Sequence, residues 1–303
     1  MTDRIKIGLI DVDSHNFPNL ALMKLSAWHK QNGDTVEWWN GFEHYDRVYM
    51  SKVFDSTYTA DQFEPCNADE IIKGGTGYDL NNVLPKEIES IYPDYELYHD
   101  VYPQWNDTAI GFLTRGCPRH CSFCIVGDKE GLTSYKVADL EQFWRGQKKI
   151  ELLDPNLLAA KGCEDLLLQL ANSKAKVNMS QGVDARLLTK ERVELLNRIK
   201  LDNIHFAWDN IADEDVVCRG LELYAKYATR KVSGAWGAVY VLTNFGSTTE
   251  EDLCRIYKLR DMGYDPYVMV YDKPNAPKIT RRIQRWVNNR RLFKSCEKFE
   301  DYK

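Results

Sequence analysis

Apolar and polar positions in the first hundred residues follow the two periods expected of a small α/β layer. An apolar run at residues 6–10 predicts a buried strand, and apolar residues at helical spacing over 19–31, ended by Gly33, predict a helix. Further strands are predicted at residues 35–38, 47–53 and 70–72. Strands that alternate with helices or loops indicate an open, mostly parallel sheet.

A more regular rhythm follows residues 90–106, a stretch rich in Tyr, Pro and Asp that lacks periodicity and is interpreted as a linker. Strands are predicted at residues 108–114, 149–153, 176–180, 203–208, 238–243 and 266–271. Helices are predicted at residues 137–145, 162–172, 189–199, 213–227 and 249–262. Repeated βα units with right-handed crossovers curl into a barrel or partial barrel. The predicted fold is α/β, with a partial TIM-like (βα)6 barrel over residues 106–275 after a small open Rossmann-like domain over residues 1–105.

Residues 276–303 form a basic extension. Between residues 278 and 294 there is no acid, and the basic residues are Lys278, Arg281, Arg282, Arg285, Arg290, Arg291 and Lys294. Apolar residues fall among them, which predicts an amphipathic helix. Its charges either form a solvated face or contact the phosphates of a nucleic acid or nucleotide. Trp286 either packs against the barrel or stacks on a base.

The overall composition is that of a soluble globular protein, with 44% hydrophobic and 28% charged residues. A formal net charge of -5 argues against a wholly cationic nucleic-acid binder, although it leaves room for a local basic patch. The N-terminus is too acidic and its apolar run too short for a signal peptide, and no segment approaches the roughly 18 apolar residues of a membrane-spanning helix. We therefore expect a cytoplasmic protein that does not contact membranes.

The spacing of the cysteines carries the chemical signal. Five of the eight are scattered, and we interpret them as buried small hydrophobes. The other three, Cys117, Cys121 and Cys124, have the spacing C-x3-C-x2-C on a loop that leaves a predicted strand. Ligation by thiolates favours an iron–sulfur cluster or zinc, and His120 is available as a further zinc ligand. Three ligands suit a cluster in which one iron stays open.

This loop, with Phe123 before the last cysteine, resembles the signature of the radical S-adenosylmethionine (SAM) superfamily. The resemblance implies that Cys117, Cys121 and Cys124 hold a catalytic 4Fe–4S cluster whose open iron binds SAM. It implies reductive cleavage of SAM to methionine and a 5′-deoxyadenosyl radical, with an electron from a reductant such as flavodoxin or ferredoxin. The substrate is unidentified: a small molecule, a peptide or a nucleic acid. The alternatives are a radical methyltransferase or nucleic-acid-modifying enzyme within this class, and a non-catalytic iron–sulfur or zinc-binding protein outside it.

Polar residues follow several of the predicted barrel strands, where barrel active sites form. By the resemblance, the residues expected to contact SAM are Phe123, Asp154, Asn156, Ser180, Gln181, Asp184, Arg186, Asp209 and Met269. Asp154-Pro155-Asn156 stands where many family members carry Gly-Gly-Glu. Each polar residue could instead cap a helix or stabilise a turn.

Residues 1–105 resemble the cobalamin-binding-like domain that precedes the barrel in many radical SAM enzymes. Asp13-Ser-His15-Asn-Phe-Pro18 approaches the D-x-H-x-x-G loop whose histidine ligates cobalt, but Pro18 replaces the glycine. We therefore expect a degenerate domain that holds no cobalamin, with His15 as an ordinary loop residue. The run Gly74-Gly75-Thr76-Gly77 lacks the lysine and helix of a phosphate-binding loop and is interpreted as a turn.

Overall fold

The computed structural model describes residues 4–232 and 237–302, and the chain divides into two compact units. The first unit comprises residues 1–111 together with 138–147, and the second comprises 112–137 and 148–303. In the described parts of the chain, no helix is both long and apolar enough to cross a membrane.

The first unit is built on a four-stranded sheet in the order β2-β1-β3-β4, in which all neighbours are parallel. Its elements are β1 (Lys6–Asp11), α1 (Leu20–Gln31), β2 (Thr35–Trp38), β3 (Tyr45–Ser51), β4 (Ala68–Gly74), α2 (Lys86–Glu89) and β5 (Thr108–Gly111). The side chain of Asn19 caps α1 by accepting a hydrogen bond from the Leu22 amide. The predicted parallel α/β layer is confirmed.

Residues 90–106 are an integral part of the first unit and not the free linker that their lack of periodicity suggested. Tyr98 is only 3% exposed, and its hydroxyl donates to Asp11 at 2.5 Å. The carboxylate of Asp94 accepts a hydrogen bond from Ser26 on α1 at 2.6 Å. Tyrosine can bury its ring and satisfy its hydroxyl in irregular backbone, so packing here leaves no periodic signal.

The second unit contains five strands of a parallel sheet, in the order β12-β11-β10-β9-β8, and a separate antiparallel pair, β6 with β7. In chain order its elements are β6 (Thr114–Arg115), α3 (Val126–Glu130), β7 (Tyr135–Lys136), β8 (Lys149–Leu152), α4 (Cys163–Ser173), β9 (Lys176–Met179), α5 (Lys190–Arg198), β10 (Leu201–Ala207), α6 (Glu214–Tyr227), β11 (Gly237–Thr243), α7 (Thr249–Asp261), β12 (Pro266–Val270), α8 (Lys278–Asn288) and α9 (Arg290–Ser295). From β8 to β12 the predicted alternation of strand and helix is confirmed.

Two predicted helices differ from the structure. Residues 137–145 form only a 3₁₀ turn, Leu140–Gln142, because Phe143 leaves the helical region with φ -136° and buries its ring against Gly111 of the first unit. The basic extension is two helices, because Asn289 between them is extended and caps α9 through the Leu292 amide.

One face of the second unit's sheet is apolar. Fully buried positions on it are Val177, Ile204, Phe206, Val239, Val241 and Val268. Strand β10 contributes apolar side chains to this face because its register shifts along the strand. Leu201 pairs with Val177, but Asn203, two residues later, pairs with Asn178, only one residue later on β9. The extra residue, Asp202, is a β-bulge that turns Leu201 to the apolar face and Asn203 to the opposite one.

Candidate functional site

The cysteine motif lies on a loop of the second unit whose two ends are held together. Strands β6 and β7 pair across its base, with Arg115 opposite Tyr135. The Glu130 carboxylate accepts hydrogen bonds from Arg115 Nη1 at 2.6 Å and from the Gly116 amide at 2.9 Å. These contacts hold together the two ends of the loop that carries Cys117, Cys121 and Cys124.

Gly116 shapes the start of this loop. Its φ is +79°, and a Cβ at this position would come within 2.2 Å of the Thr133 carbonyl oxygen. Only glycine combines that backbone conformation with such a close approach. Glycine is therefore required for steric reasons immediately before the first cysteine.

The three thiols are exposed to differing degrees, and two of them act electrostatically on the third. Cys124 is exposed, whereas Cys117 and Cys121 are half-buried, and none forms a disulfide. Burial raises the pKa of Cys121, the nearby Arg186 guanidinium lowers it, and Asp209, Cys124 and Cys117 raise it further. The structure thus brings two residues predicted as SAM contacts, Arg186 and Asp209, into the surroundings of the cysteine loop.

A network centred on Asp184 connects the loop to the ends of the strands. The Asp184 carboxylate accepts hydrogen bonds from Arg119 Nε at 2.6 Å and Arg186 Nε at 2.8 Å. Asn156 donates through Nδ2 to Asp184 at 3.1 Å and to the Cys117 sulfur at 3.6 Å. Burial opposes ionisation of Asp184, but the two arginines outweigh it and hold the pKa of this carboxyl below its ordinary value.

Asn156 has an unused acceptor beside the first cysteine. The residue is 5% exposed, and its Oδ1 is buried without a hydrogen-bond partner. A buried oxygen of this kind costs free energy unless a donor is supplied. The Asn156 side chain thus carries an unsatisfied acceptor close to Cys117.

Asp154 stabilises the backbone at the start of the cysteine loop. Its Oδ2 accepts from the Leu113 amide at 3.1 Å, and its Oδ1 accepts from the amide and hydroxyl of Thr114 at 2.5 and 2.7 Å. These bonds hold β6, from which the cysteine loop departs. The predicted contact between Asp154 and SAM remains untested, but both carboxylate oxygens already have partners.

The titration of Asp154 makes a measurable contribution to stability. Burial raises its pKa to about 6, despite the hydrogen bonds from Thr114 and Leu113, whereas an unfolded chain has a value of about 4. A raised folded-state pKa stabilises the protein below pH 4, and this stabilisation is lost as the pH rises through 6. The free energy of unfolding of Asp154→Asn minus that of the wild type should therefore rise by about 2 kcal/mol between pH 4 and pH 6.5.

Urea unfolding at several pH values measures this difference, with exposed Asp215→Asn as the matched control. We expect the control to follow the wild type. A difference for Asp154→Asn that stays flat across this range would contradict the raised pKa.

Four other predicted site residues are exposed or make their hydrogen bonds outside this network. Ser180 donates to the Leu152 carbonyl at 2.7 Å, Gln181 is exposed, and Met269 is 47% exposed on β12. Asp209 accepts from the Leu242 amide at 3.2 Å, and burial raises its pKa. The roles of these side chains toward SAM stay predictions.

An aromatic chain approaches the cysteine loop from β11 and β12. Phe123, inside the motif, meets Phe245 with ring centres 5.5 Å apart, and Phe245 meets Tyr271 at 4.7 Å. The sequence singled out Phe123, and Tyr271 on the last predicted strand, but not Phe245 or Arg119. Their position directly after predicted strands, or within the motif, was the available signal.

Arg255 on α7 ties the ends of β10 and β11 together beneath Asp209. It is fully buried and donates to the carbonyls of Trp208 at 2.8 Å and Leu242 at 2.9 Å. Its charge is paired with buried Asp252 at 2.5 Å. Helical periodicity alone gave no reason to place a charged side chain in the core.

The donor set fits the cluster that the motif implies. In the ranges 4–232 and 237–302, no three His, Cys, Asp or Glu side chains are gathered as ligands of one metal ion. The three thiols nevertheless share one loop, and Cys117 and Cys124 both raise the pKa of Cys121. A four-iron cluster holds its thiolates further apart than a single ion does, and Cys thiolates are its usual ligands.

The basic extension does not offer Trp286 for base stacking. Trp286 is fully buried, with its ring against Tyr257, Phe293 and Phe299. The alternative that it stacks on a base is therefore wrong. The basic side chains lie on the exposed side of α8 and α9.

In the first unit, the loops after β1, β3 and β4 bind one another. Asp13 accepts hydrogen bonds from the amides of Val53 and Phe54 at 2.7 and 2.8 Å. A Cβ at Gly75 or Gly77 would lie 2.2 Å from the carbonyl oxygen of Lys52 or Phe54, respectively. These glycines serve the close approach of the protein's own backbone.

Comparison with known proteins gives a relationship at the level of fold. No protein-family model and no curated protein sequence matches the chain. Its structure is similar to that of a radical S-adenosylmethionine methyltransferase, TsrM from Kitasatospora setae, with cobalamin and a [4Fe-4S] cluster bound. The fold is shared. The TM-score is 0.64 at 11% sequence identity, over 88% of this chain and 75% of that one. This similarity shows a shared mixed α/β fold with parallel sheets.

Proposed function

We propose that this protein is a radical SAM enzyme in which Cys117, Cys121 and Cys124 hold a 4Fe–4S cluster. One observation carries the proposal: the C-x3-C-x2-C loop lies against charged and amide side chains from the ends of the strands, in a fold shared with a radical SAM methyltransferase. When bound, such a cluster supplies the electron that cleaves SAM to methionine and the 5′-deoxyadenosyl radical.

The Arg186 guanidinium acts on one of the thiols. Burial, the larger effect, raises the pKa of Cys121, and Arg186 partly offsets it. Because the thiolate is the form that binds metal, this charge assists loading of the cysteine. Asp184 fixes the guanidinium groups of Arg186 and Arg119 by accepting a hydrogen bond from each.

Asn156 is placed to receive the amino group of SAM. Its free, buried Oδ1 lies on the side chain whose Nδ2 contacts Cys117. An ammonium group there would satisfy the oxygen, as the Glu of the family's Gly-Gly-Glu does. This assigns the contact to Asn156 and leaves Asp154 to support β6.

The rings of Phe123, Phe245 and Tyr271 place apolar surface beside the loop. A carbon radical must be kept from side reactions until it meets its substrate. The radical removes a hydrogen atom from the substrate and becomes 5′-deoxyadenosine, so this nucleoside reports the reaction even when the substrate product is unknown.

The test is anaerobic reconstitution of the full chain with iron and sulfide, followed by reduction with flavodoxin or dithionite in the presence of SAM. We expect a 4Fe–4S signal in electron paramagnetic resonance and formation of 5′-deoxyadenosine and methionine in equal amounts. A fully loaded cluster that leaves SAM intact, with or without extracts as a source of substrate, would favour the non-catalytic iron–sulfur protein instead.

Methyl transfer is a second candidate reaction, because the structurally similar protein is a methyltransferase that contains cobalamin. For this chain we propose that any such transfer proceeds without cobalamin, since polar groups in the loops of the first unit already form hydrogen bonds with one another. Hydroxocobalamin incubated with the protein should therefore be lost on gel filtration. Stoichiometric retention of its visible absorbance, abolished by His15→Ala, would overturn this expectation.

A further inference from the structure

The face of the second unit's sheet opposite the apolar one carries a row of polar side chains. Paired positions place Glu151 of β8 beside Asn178 of β9, and Asn178 beside Asn203 of β10. The same face continues along β10 through His205 and Ala207, because alternate residues of a strand share a face. The bulge at Asp202 is what brings Asn203 onto it.

Three acceptors in this row have no partner. Asn178 Oδ1, Asn203 Oδ1 and His205 Nδ1 are all buried from water without a hydrogen bond. The orientation of the Asn178 amide is fixed, since its Nδ2 donates to both oxygens of Glu151 at 2.8 and 2.9 Å. Leaving three acceptors unsatisfied within one row is costly, and a bound donor relieves that cost.

The charge state of His205 is consistent with an acceptor. Burial lowers its pKa, with a hydrogen bond to the Ala238 backbone acting in the opposite direction. A neutral imidazole has one N–H and one bare nitrogen. Nδ1, which lacks a partner, can then accept from a ligand.

Aromatic rings line the row on its other side. The His205 and Tyr240 rings are stacked, with centres 4.9 Å apart and an angle of 13° between their planes. Tyr240 meets Tyr267 edge to face at 5.8 Å, and Tyr267 is 44% exposed. Flat rings beside unpaired acceptors suit a flat ligand whose edge carries donors.

The row is also directed toward the cysteine loop. On β10 the polar face runs from His205 past exposed Ala207 to Asp209, a span of about 13 Å in extended chain. Asp209 is one of the charges that act on Cys121. Ala207 is small enough to leave space above the strand between the stacked rings and the loop.

We infer that this row, Asn178, Asn203 and His205 with Tyr240 and Tyr267, binds the substrate, and that the substrate is a small planar aromatic compound with N–H or O–H donors on one edge. This inference rests on the proposed function for the reaction but not for the binding. A compound held over Ala207 presents its far edge toward the cysteine loop, where hydrogen abstraction would take place.

The test compares two probes, 2-aminoquinoline and quinoline, which differ by the amino donors. Binding to the reconstituted full-length protein with saturating SAM is followed by ligand-observed NMR. We expect 2-aminoquinoline to bind about tenfold more tightly than quinoline, because unsatisfied acceptors reject a ligand without donors.

Two variants test whether His205 and Asn203 cause the difference in affinity between the two probes. His205→Phe keeps a ring against Tyr240 and removes Nδ1, and Asn203→Leu removes Oδ1 at similar volume. Each should weaken 2-aminoquinoline by about tenfold and leave quinoline within about twofold. Asn172→Leu, the same change at an exposed position on α4, should affect neither.

The outcomes separate the binding site from the reaction. Equal affinity for the two probes, no binding of either near millimolar concentration, or unchanged affinity in both variants would overturn the inference. Displacement of the probe by SAM would also overturn it, by showing that the row belongs to SAM. Probe selectivity that survives in a protein unable to cleave SAM would uphold the site and reject only the proposed function.

Discussion

Replacing Cys124 with alanine is expected to reduce 5′-deoxyadenosine formation to the level found without enzyme. Cys124 is an exposed member of the motif, so its loss should remove a cluster ligand without opening a cavity in the core. With two thiolates left, the loop cannot hold three irons of a cluster. The measurements are iron and sulfide content after reconstitution, and 5′-deoxyadenosine by chromatography.

The matched control is Cys254→Ala, which removes another exposed cysteine, on α7. The interpretation of the scattered cysteines as buried is wrong for Cys254 and for Cys66, which are both exposed. It should retain both iron and activity. Thermal unfolding of the two unloaded variants should agree with the wild type, since surface substitutions usually change stability by less than about 0.5 kcal/mol. Undiminished 5′-deoxyadenosine formation by Cys124→Ala would remove this cysteine from the site.

Arg255→Met is expected to lower the free energy of unfolding by about 3–5 kcal/mol, the range found when one partner of a buried ion pair is removed. Arg255 is fully buried, and its loss leaves Asp252 without its cation and the carbonyls of Trp208 and Leu242 without their donors. Methionine fills similar volume, so the effect measures the lost polar contacts rather than a cavity.

Urea unfolding of the chain before cluster loading gives this difference directly, and exposed Arg198→Met on α5 is the control. The control should stay within about 0.5 kcal/mol of the wild type. A loss below about 1 kcal/mol in Arg255→Met would mean that the strand ends hold without this clamp. Because Asp209 follows Trp208, a weakened SAM affinity in the variant is expected to accompany the loss of stability.

The sequence predicts the second unit's strands and helices well because each strand from β8 to β12 is short, apolar and followed by an amphipathic helix. It fails where tertiary packing decides local structure. Residues 137–145 have helical spacing, yet Phe143 turns away to bury its ring. The bulge at Asp202 also left no pattern that periodicity could detect.

The cysteine motif of the candidate site could be recognised in the sequence, but the hydrogen-bond network beside it could not. The cysteine spacing is local in sequence, so the motif could be read directly. Asn156, Asp184 and Arg119 come from three separate segments, and only the fold shows that they bond to one another. Asp154 and Asn156 are separated only by Pro155, yet both carboxylate oxygens of Asp154 accept hydrogen bonds whereas Oδ1 of Asn156 has no partner.

The discontinuous first unit has a consequence for folding during synthesis. Phe143 packs on Gly111, and Tyr95 donates to the Phe143 carbonyl at 2.7 Å, so this unit is complete only with residues 138–147. Domains fold as units while the ribosome adds about 5–20 residues per second. The cysteine loop, at residues 116–124, therefore leaves the ribosome before the first unit has its last segment. If iron and sulfide were loaded during translation, they would bind to the cysteine loop before the chain on either side of it had folded.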